Sequence, residues 1–289
     1  MTFTRRRFAA LASAGLAADG LFGQSSLTAQ DVVVRIQSEL AKAGVTWREQ
    51  TVDTFKGGDP NTPVRGIATT VMSTLDVLQR AADAGKNMVI THEPTYYNGS
   101  DDTSEILQDE LYLRKVKFIK DNGLVVWRFH DHWHAKKPDG MPVGIAKLLG
   151  WSQYQVPERE RQYVIPEATL EAVAKHIKRS MGIKTMRVVG DPATKISRVA
   201  ISPGYSNLQA SLRTFPNNDL FIIGEAREWE GVEYAFDAMT AGMAKGLIVL
   251  GHTISEDPGM DEAATWLRTI VPEVPVEFIP AGEPFWTVE

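Results

Sequence analysis

The stretch Asn87-Met88-Val89-Ile90-Thr91-His92-Glu93-Pro94 places an imidazole and a carboxylate directly after a short apolar strand. Pro94 has no N–H to donate to a neighbouring strand, so it ends the strand and restricts the loop that follows. A second stretch, Gly246-Leu-Ile-Val-Leu-Gly-His252, repeats the pattern of a buried strand followed by a histidine. Ligands of α/β sheets bind at the carboxyl ends of strands, so both stretches predict a binding site there.

Strands and helices alternate through the rest of the chain. Apolar residues recur at helical spacing over 31–43, 74–84, 103–120, 141–149, 167–181, 232–244 and 255–270. Short β-rich runs at 64–72, 87–91, 124–129, 186–189, 196–202, 220–223, 246–250 and 274–279 separate them. This order predicts an α/β fold whose sheets are covered by helices on their faces. We divide the 289 residues into a first half, 31–155, and a second half, 156–289, after an N-terminal segment, 1–30.

The composition narrows the chemistry that the chain can perform. It contains no cysteine, which excludes disulfides, thiolate nucleophiles, zinc fingers and iron–sulfur clusters. Any metal is therefore held by His, Asp, Glu or water. The net charge of -5, from 31 basic and 36 acidic residues, argues against a nucleic-acid partner. No stretch after the N-terminal segment reaches eighteen apolar residues, so we expect no membrane span.

The N-terminal segment has the features of an export signal. Thr4-Arg5-Arg6-Arg7-Phe8 resembles the twin-arginine pattern Ser/Thr-Arg-Arg-x-Phe, and a short apolar run follows it. The alternative is an ordinary basic amphipathic N-terminus. The resemblance implies export by the twin-arginine route, with a periplasmic location for the protein.

Histidines are concentrated in two further clusters. In Phe129-His-Asp-His-Trp-His134 an extended backbone would turn all three imidazoles to one face, where a metal or carboxylates would have to compensate them. In Gly251-His-Thr-Ile-Ser-Glu256 we predict Ser255 as a helix N-cap, and the four-residue spacing lets His252 and Glu256 reach one ion. His176 lies on the polar face of its helix and is expected to be solvated.

These nitrogen and oxygen donors suit one or two divalent ions of Zn, Fe, Mn, Co or Ni. Because more than five candidate ligands are available and some are acidic, two ions are favoured over one. A pair of ions can activate a water and hold a substrate oxygen for hydrolysis.

The chain resembles the dinuclear metal-centre family known as Nif-three-like proteins, often labelled GTP cyclohydrolase I type 2. The family's Thr-His-His-Pro strand end corresponds to Thr91-His92-Glu93-Pro94, and its His-x-x-x-Asp element to His130–His134. Its late Gly-His-x-x-Ser-Glu element corresponds to Gly251–Glu256, and Gly58-Asp59-Pro60 and Ser197–Ala200 with Gly204 also match. The resemblance implies two α/β halves with mixed sheets flanked by helices, a metal site in the cleft between them, and hexameric rings.

Transferred residue by residue, the resemblance implies five metal ligands: His92, Glu93, His134, His252 and Glu256. Glu93 stands where the family has a second His, and His134 where it has a bridging Asp. If they are not ligands, His130 and His132 are candidates for shuttling a proton as general acid or base. Glu225 is expected to line the cleft, and Trp229, at a family His position, to stack on a ligand or pack.

We therefore expect a metal-dependent hydrolase that acts on an unknown small molecule through metal-activated water. The alternative is a non-enzymatic metal-binding or metal-carrier protein, which a closed and fully protein-ligated site would indicate. A third possibility, a metallo-β-lactamase-like hydrolase suggested by His132-x-His134, lacks the Asp-His continuation, because Lys136 and Lys137 follow. The family's GTP cyclohydrolase label is not adopted, because no Walker-type phosphate loop is present.

Overall fold

The computed structural model describes residues 27–288, so most of the predicted export signal lies outside the described residues. Two five-stranded mixed sheets are flanked by helices. The strands are β1 (Phe55–Gly57), β2 (Ile67–Thr70), β3 (Met88–Thr91), β4 (Val125–Arg128), β5 (Gln162–Thr169), β6 (Arg187–Val189), β7 (Lys195–Tyr205), β8 (Leu220–Glu225), β9 (Gly246–Val249) and β10 (Val276–Phe278).

The helices are α1 (Ala29–Lys42), α2 (Leu75–Asp83), α3 (Glu110–Asp121), α4 (Asp131–Ala135), α5 (Gly140–Leu148), α6 (Leu170–Met181), α7 (Leu208–Thr214), α8 (Glu233–Thr240) and α9 (His252–Ile270). Short 3-10 turns at Ser152–Tyr154 and Phe215–Asn217 and a π turn at Glu228–Val232 complete the elements. None of the helices in the described part of the chain is long and apolar enough to cross a membrane.

The first sheet has the strand order β1-β4-β3-β2-β10, and the second has β5-β7-β8-β9-β6. In each sheet a parallel block (β4-β3-β2-β10 or β7-β8-β9) carries an antiparallel strand at one or both edges. β10 lies near the C-terminus yet pairs with β2, so the predicted second half, 156–289, does not keep all of its strands in one sheet.

Helix α9 joins the two sheets, since it contacts β2 and β10 of the first sheet and β7 and β8 of the second. It crosses α5 at very short range. A methyl group on Gly144 would lie 2.2 Å from the Pro258 carbonyl oxygen, and one on Gly259 would lie 2.2 Å from Met141 Sδ. Only glycine permits this approach. The tight crossing fixes the start of α9 between the carboxyl ends of both parallel blocks.

Two predicted local structures are wrong. The segment after β4 is not extended but turns into α4, so residues 130, 132 and 134 do not share a face. Ser255 is not an N-cap, because α9 already begins at His252 after Gly251, whose φ of +98° permits the abrupt turn. β1, β5 and α7 were not predicted from the sequence.

Candidate metal centre

Three chain segments at strand ends bring the candidate ligands together. His92 and Glu93 directly follow β3, whereas His130 follows β4 at the entry to α4. His252 and Glu256 occupy the first turns of α9, just after β9. His252 Nε2 lies 3.1 Å from Glu93 Oε1, so the end of one sheet meets the end of the other. The site therefore lies between the two halves.

Four imidazoles in this cluster are held in the same way, each through Nδ1. The Nδ1 partners are the Phe129 carbonyl for His92 at 3.0 Å, Asp131 for His130 at 3.1 Å, Asp139 for His134 at 3.1 Å and Glu225 for His252 at 3.0 Å. An oxygen at Nδ1 fixes the ring orientation and holds a proton on Nδ1, so that in the neutral ring the lone pair of Nε2 can bind a metal. Imidazoles that bind metals in proteins are supported in this manner.

Two buried atoms in the cluster lack a hydrogen bond, although one of them, Glu256 Oε2, lies 3.3 Å from His252 Nε2. His92 Nε2 and Glu256 Oε2 have no hydrogen bond among residues 27–288, although both side chains are almost fully buried. They lie 3.8 Å apart. Leaving a buried polar atom without a hydrogen bond costs about 1–3 kcal/mol, so the position of His92 Nε2 opposite this carboxylate calls for an explanation. A cation held between them supplies one, and the donors present fit such an ion.

The possible ligand atoms form two overlapping groups. His92, His130 and His134 make one, and His92, Glu93 and Glu256 make the other. In each group the ligand atoms lie within 4.8 Å of one another. A carboxylate can bind two ions whereas an imidazole nitrogen binds one. The arrangement is therefore compatible with either one ion or two.

Gly204, near the end of β7, leaves room for the Glu256 carboxylate because it has no side chain. A methyl group on Gly204 would lie 2.5 Å from Glu256 Oε1 and 3.4 Å from His252 Nε2. The Gly204 N–H donates to Ser255 Oγ, and that hydroxyl donates to the His252 carbonyl. Ser255 thus ties the first turn of α9 to β7, a role different from the cap predicted for it.

The electrostatics of the cluster are strongly coupled. Burial, reinforced by the charges of His134 and His130, holds the pKa of His92 well below its usual value, so this ring is neutral. Burial alone would lower the pKa of His252, but pairing with the Glu256 and Glu93 carboxylates raises it to about 11. For Glu93 the two effects have the opposite signs. Burial alone would raise its pKa, but the contact with His252 leaves the pKa below its usual value.

His132 does not belong to this cluster, which corrects its predicted role as a proton shuttle. Its Nδ1 pairs with Asp53 Oδ2 at 2.6 Å, and its Nε2 accepts the Arg48 N–H at 3.0 Å. The ring is fully buried and stacks on Trp47, with the centroids 3.6 Å apart. Both nitrogens are occupied, so its place is in the core. His130, by contrast, shares the face of α4 with His134 at a spacing of four residues.

Two buried acids that support the cluster were not predicted from the sequence. Asp53 accepts the backbone N–H groups of His130, Asp131 and His132 and thereby starts α4. Asp139 caps α5 and holds His134. Asp139 precedes a helical run, which is an N-cap signal, whereas nothing in the sequence marks Asp53.

Outside the cluster, three further side chains can be compared with their expected places. Glu225 contacts His252, as described above. Trp229 is 71% exposed and lies beside Arg227, with 6.0 Å between guanidinium carbon and ring centroid. His176 is half-buried rather than solvated, because it stacks on Trp151 and its Nε2 bonds to the Leu149 carbonyl.

The family model described as Duf34/NIF3 (NGG1p interacting factor 3) matches residues 34–284. A GTP cyclohydrolase 1 type 2 homolog of Clostridium perfringens is 23% identical over 236 residues, which are 78% of this chain and 86% of that relative. A protein of the same name from Clostridium acetobutylicum is 27% identical over 159 residues. That match spans 51% of this chain and only 58% of the relative's length.

Several solved structures share the fold, including one from Bacillus cereus and one from Staphylococcus aureus. The Bacillus cereus protein related to NIF3 superposes with a TM-score of 0.73 at 16% identity, covering 91% of this chain and 100% of that chain. Staphylococcus aureus protein SA1388 gives 0.71 at 19% identity, with the same coverage. Sequence identities this low show a shared fold only. The family model, however, matches most of the chain. This chain therefore belongs to the Duf34/NIF3 family.

Proposed function

We propose that this protein is a metal-dependent hydrolase that binds one or two divalent ions and acts on a small molecule. One observation carries the proposal. Four imidazoles anchored through Nδ1 share one cluster with two carboxylates, the Nε2 atoms of His92, His130 and His252 lie within 3.8 Å of a carboxylate oxygen, and two of the buried atoms lack a hydrogen bond. Such a donor set of nitrogen and oxygen suits Zn, Fe, Mn, Co or Ni.

The proposed ligands are the six side chains of the cluster: His92, Glu93, His130, His134, His252 and Glu256. Divalent ions bound in such a site lower the pKa of a water and polarise a substrate oxygen. The chain itself orients the four imidazole rings, because an oxygen atom at Nδ1 holds each of them in place. If His130 is not a ligand, its Nε2, 3.8 Å from Glu93 Oε1, is placed to take up a proton.

Access to the cluster favours a catalytic site over a closed one. The side chains of His130 and His134 are 29% and 25% exposed, whereas His92 is fully buried. One side of the cluster is thus open to a small substrate while the other lies in the core. Structural and storage sites are usually closed by protein ligands. This openness is why we favour a hydrolase over a metal carrier.

Metal content and a ligand variant test the proposal. Protein purified after metal-replete expression should carry one to two first-row ions per chain by elemental analysis. Glu256→Ala should lose metal with an unchanged circular dichroism spectrum, because Glu256 contributes a buried ligand without carrying the packing of α9. Glu262→Ala is the matched control, since this residue lies on α9 and pairs with Lys147. Absence of metal in the wild type, or full occupancy in Glu256→Ala, would contradict the assignment.

Activity is tested with a panel of small esters, amides, phosphoesters and GTP, the last because relatives carry that name. We expect hydrolysis that chelation abolishes and metal restores. Stable metal binding without turnover of any compound, in a protein that delivers its ion to an acceptor, would instead favour the carrier.

Two further properties are proposed from the resemblances of the sequence to the twin-arginine pattern and to the family. We propose export by the twin-arginine route, which replacing Arg5 and Arg6 by Lys should block, leaving the protein in the cytoplasmic fraction. We also propose assembly into hexameric rings, for which analytical ultracentrifugation of the metal-loaded protein is the measurement. A monomer at micromolar concentration would contradict it.

A further inference from the structure

We propose that Arg128 is the positioning residue that holds Glu93 in place as a ligand of the metal centre. The inference rests on the proposed metal-binding function. It concerns a buried chain of four charged side chains, Glu93, Arg128, Asp101 and Lys56, that runs from the cluster into the first half. Nothing in the motif that contains Glu93 identifies Arg128, which comes from the neighbouring strand β4.

The guanidinium of Arg128 is fixed before it reaches Glu93. Its Nε donates to the His92 carbonyl at 3.1 Å, and one terminal nitrogen donates to the Gly99 carbonyl at 2.7 Å. The side chain is 4% exposed, so water does not compete for these bonds. Arg128 is therefore a rigid part of the strand end and not a mobile surface cation.

The second terminal nitrogen of Arg128 donates to Glu93 Oε2 at 3.3 Å. This contact distinguishes the two oxygens of the carboxylate. Oε2 is turned to the arginine, whereas Oε1 lies 3.1 Å from His252 Nε2 and 3.8 Å from His130 Nε2. Arg128 thus presents one defined oxygen to the cluster. Without this support the carboxylate would be held only on the side of the cluster, and ordering it on metal binding would weaken the affinity.

The charge of Arg128 by itself opposes metal binding, because it places a cation beside a cation site. Asp101 offsets this effect: its Oδ2 lies 3.3 Å from Arg128 and 3.2 Å from Lys56 Nζ. Asp101 is itself anchored, as its Oδ1 accepts the N–H groups of Thr95 and Tyr96. The four charges alternate in sign and cancel, so orientation is what Arg128 contributes.

Only arginine fits this role. Three nitrogens of one planar group reach four acceptors on different sides, and a lysine ammonium is a single point that cannot. Arg128→Lys therefore keeps the charge while it loses the geometry, which separates orientation from electrostatics.

The test is titration of metal-free protein with Co²⁺, followed by calorimetry and by the visible absorption bands, which report the ligand set. Arg128→Lys should weaken Co²⁺ binding by roughly tenfold to a hundredfold, the usual effect of removing an outer support of a metal ligand. The bands should shift as well. Arg198→Met, which breaks the exposed pair with Asp219 in the second sheet, is the control and should bind like the wild type.

A double-mutant cycle asks whether Arg128 acts through Glu93. Glu93→Gln should weaken Co²⁺ binding, and adding Arg128→Lys to it should cause little further loss. A merely structural role would instead lower the melting temperature of the metal-free protein and leave the affinity unchanged. Unchanged affinity in Arg128→Lys, or fully additive losses in the cycle, would overturn the proposal.

Asp101→Asn covers the case in which Arg128 variants fail to fold. It keeps a carbonyl to accept from Thr95 and Tyr96, but it removes the anion that balances and anchors Arg128. Weaker Co²⁺ binding is expected, and unchanged binding would overturn the proposal. If the wild type itself binds no Co²⁺, both the proposed metal centre and the role of Arg128 are wrong. If the wild type binds Co²⁺ and every variant binds it equally well, only the role of Arg128 is wrong.

Discussion

Gly204 lies directly against Glu256: a methyl group on Gly204 would approach Glu256 Oε1 to 2.5 Å. The two residues belong to β7 and α9, and the missing side chain leaves the carboxylate room to face His92 and His252. Gly204 also has φ of +69°, a conformation that side chains rarely adopt.

Gly204→Ala is therefore expected to do two things. The left-handed backbone should cost about 1–2 kcal/mol of unfolding free energy, and the methyl group should displace Glu256 and weaken metal binding roughly tenfold or more. Calorimetric titration and urea unfolding measure the two effects. Gly182→Ala is the matched control, since φ is +66° there and nothing lies within 4 Å. It should show the stability loss alone; equal metal affinity in both variants would rule out the steric role of Gly204.

Asp53→Asn should destabilise the metal-free protein by about 3 kcal/mol, because an amide cannot accept both the backbone N–H groups of α4 and the His132 ring. Reversing the His132 tautomer gives no relief, since Nε2–H would then face the Arg48 N–H. Urea unfolding provides the measurement. Asp59→Asn is the control: Asp59 lies in an exposed turn, and its amide could still accept the Asn61 N–H. A loss below 1 kcal/mol for Asp53→Asn would show that the helix start has other support.

Metal binding should release a proton from His252. The Glu256 and Glu93 carboxylates raise the pKa of this ring to about 11, so the metal-free protein carries the proton at neutral pH. A metal ligand must be deprotonated, hence affinity should rise with pH until that pKa is reached. Calorimetry in two buffers of different ionisation enthalpy counts the protons. His252→Gln should release about one proton fewer, and identical proton release would contradict the assignment.

The buried Lys115 should make stability depend on pH. Burial lowers its pKa to about 8, although Asp101 opposes the shift. Between pH 8 and 10 the unfolded chain then binds more protons than the folded one, so this residue makes the unfolding free energy rise with pH, by up to about 3 kcal/mol. Lys115→Met should remove this rise relative to the wild type in urea unfolding. Lys117→Met, exposed on the same helix, should retain it; if both variants retain it, the lysine is charged at its usual pKa.

Much of the fold followed from local patterns. The short apolar strands that end at Thr91 and Val249 were predicted correctly, because a parallel strand that is buried on both faces is a continuous run of apolar residues. The edge strand β5 was missed because it alternates buried and exposed positions irregularly and contains Pro166. The pairing of β10 with β2 in the first sheet could not be predicted, because it joins strands that are far apart in the sequence.

The composition and the strand-end motifs set the chemistry of the donors, because the chain has no cysteine and therefore no thiolate ligand, and histidines and acids follow its strands. Which of these donor side chains lie close together depends on the tertiary structure. Asp53, 77 residues before His130, caps α4 and so turns His132 into the core while His130 and His134 face His92. Arg128 and Gly204 act on Glu93 and Glu256 in the same way, across elements. These contacts depend on how two sheets and α9 pack, which local spacing along the chain does not encode.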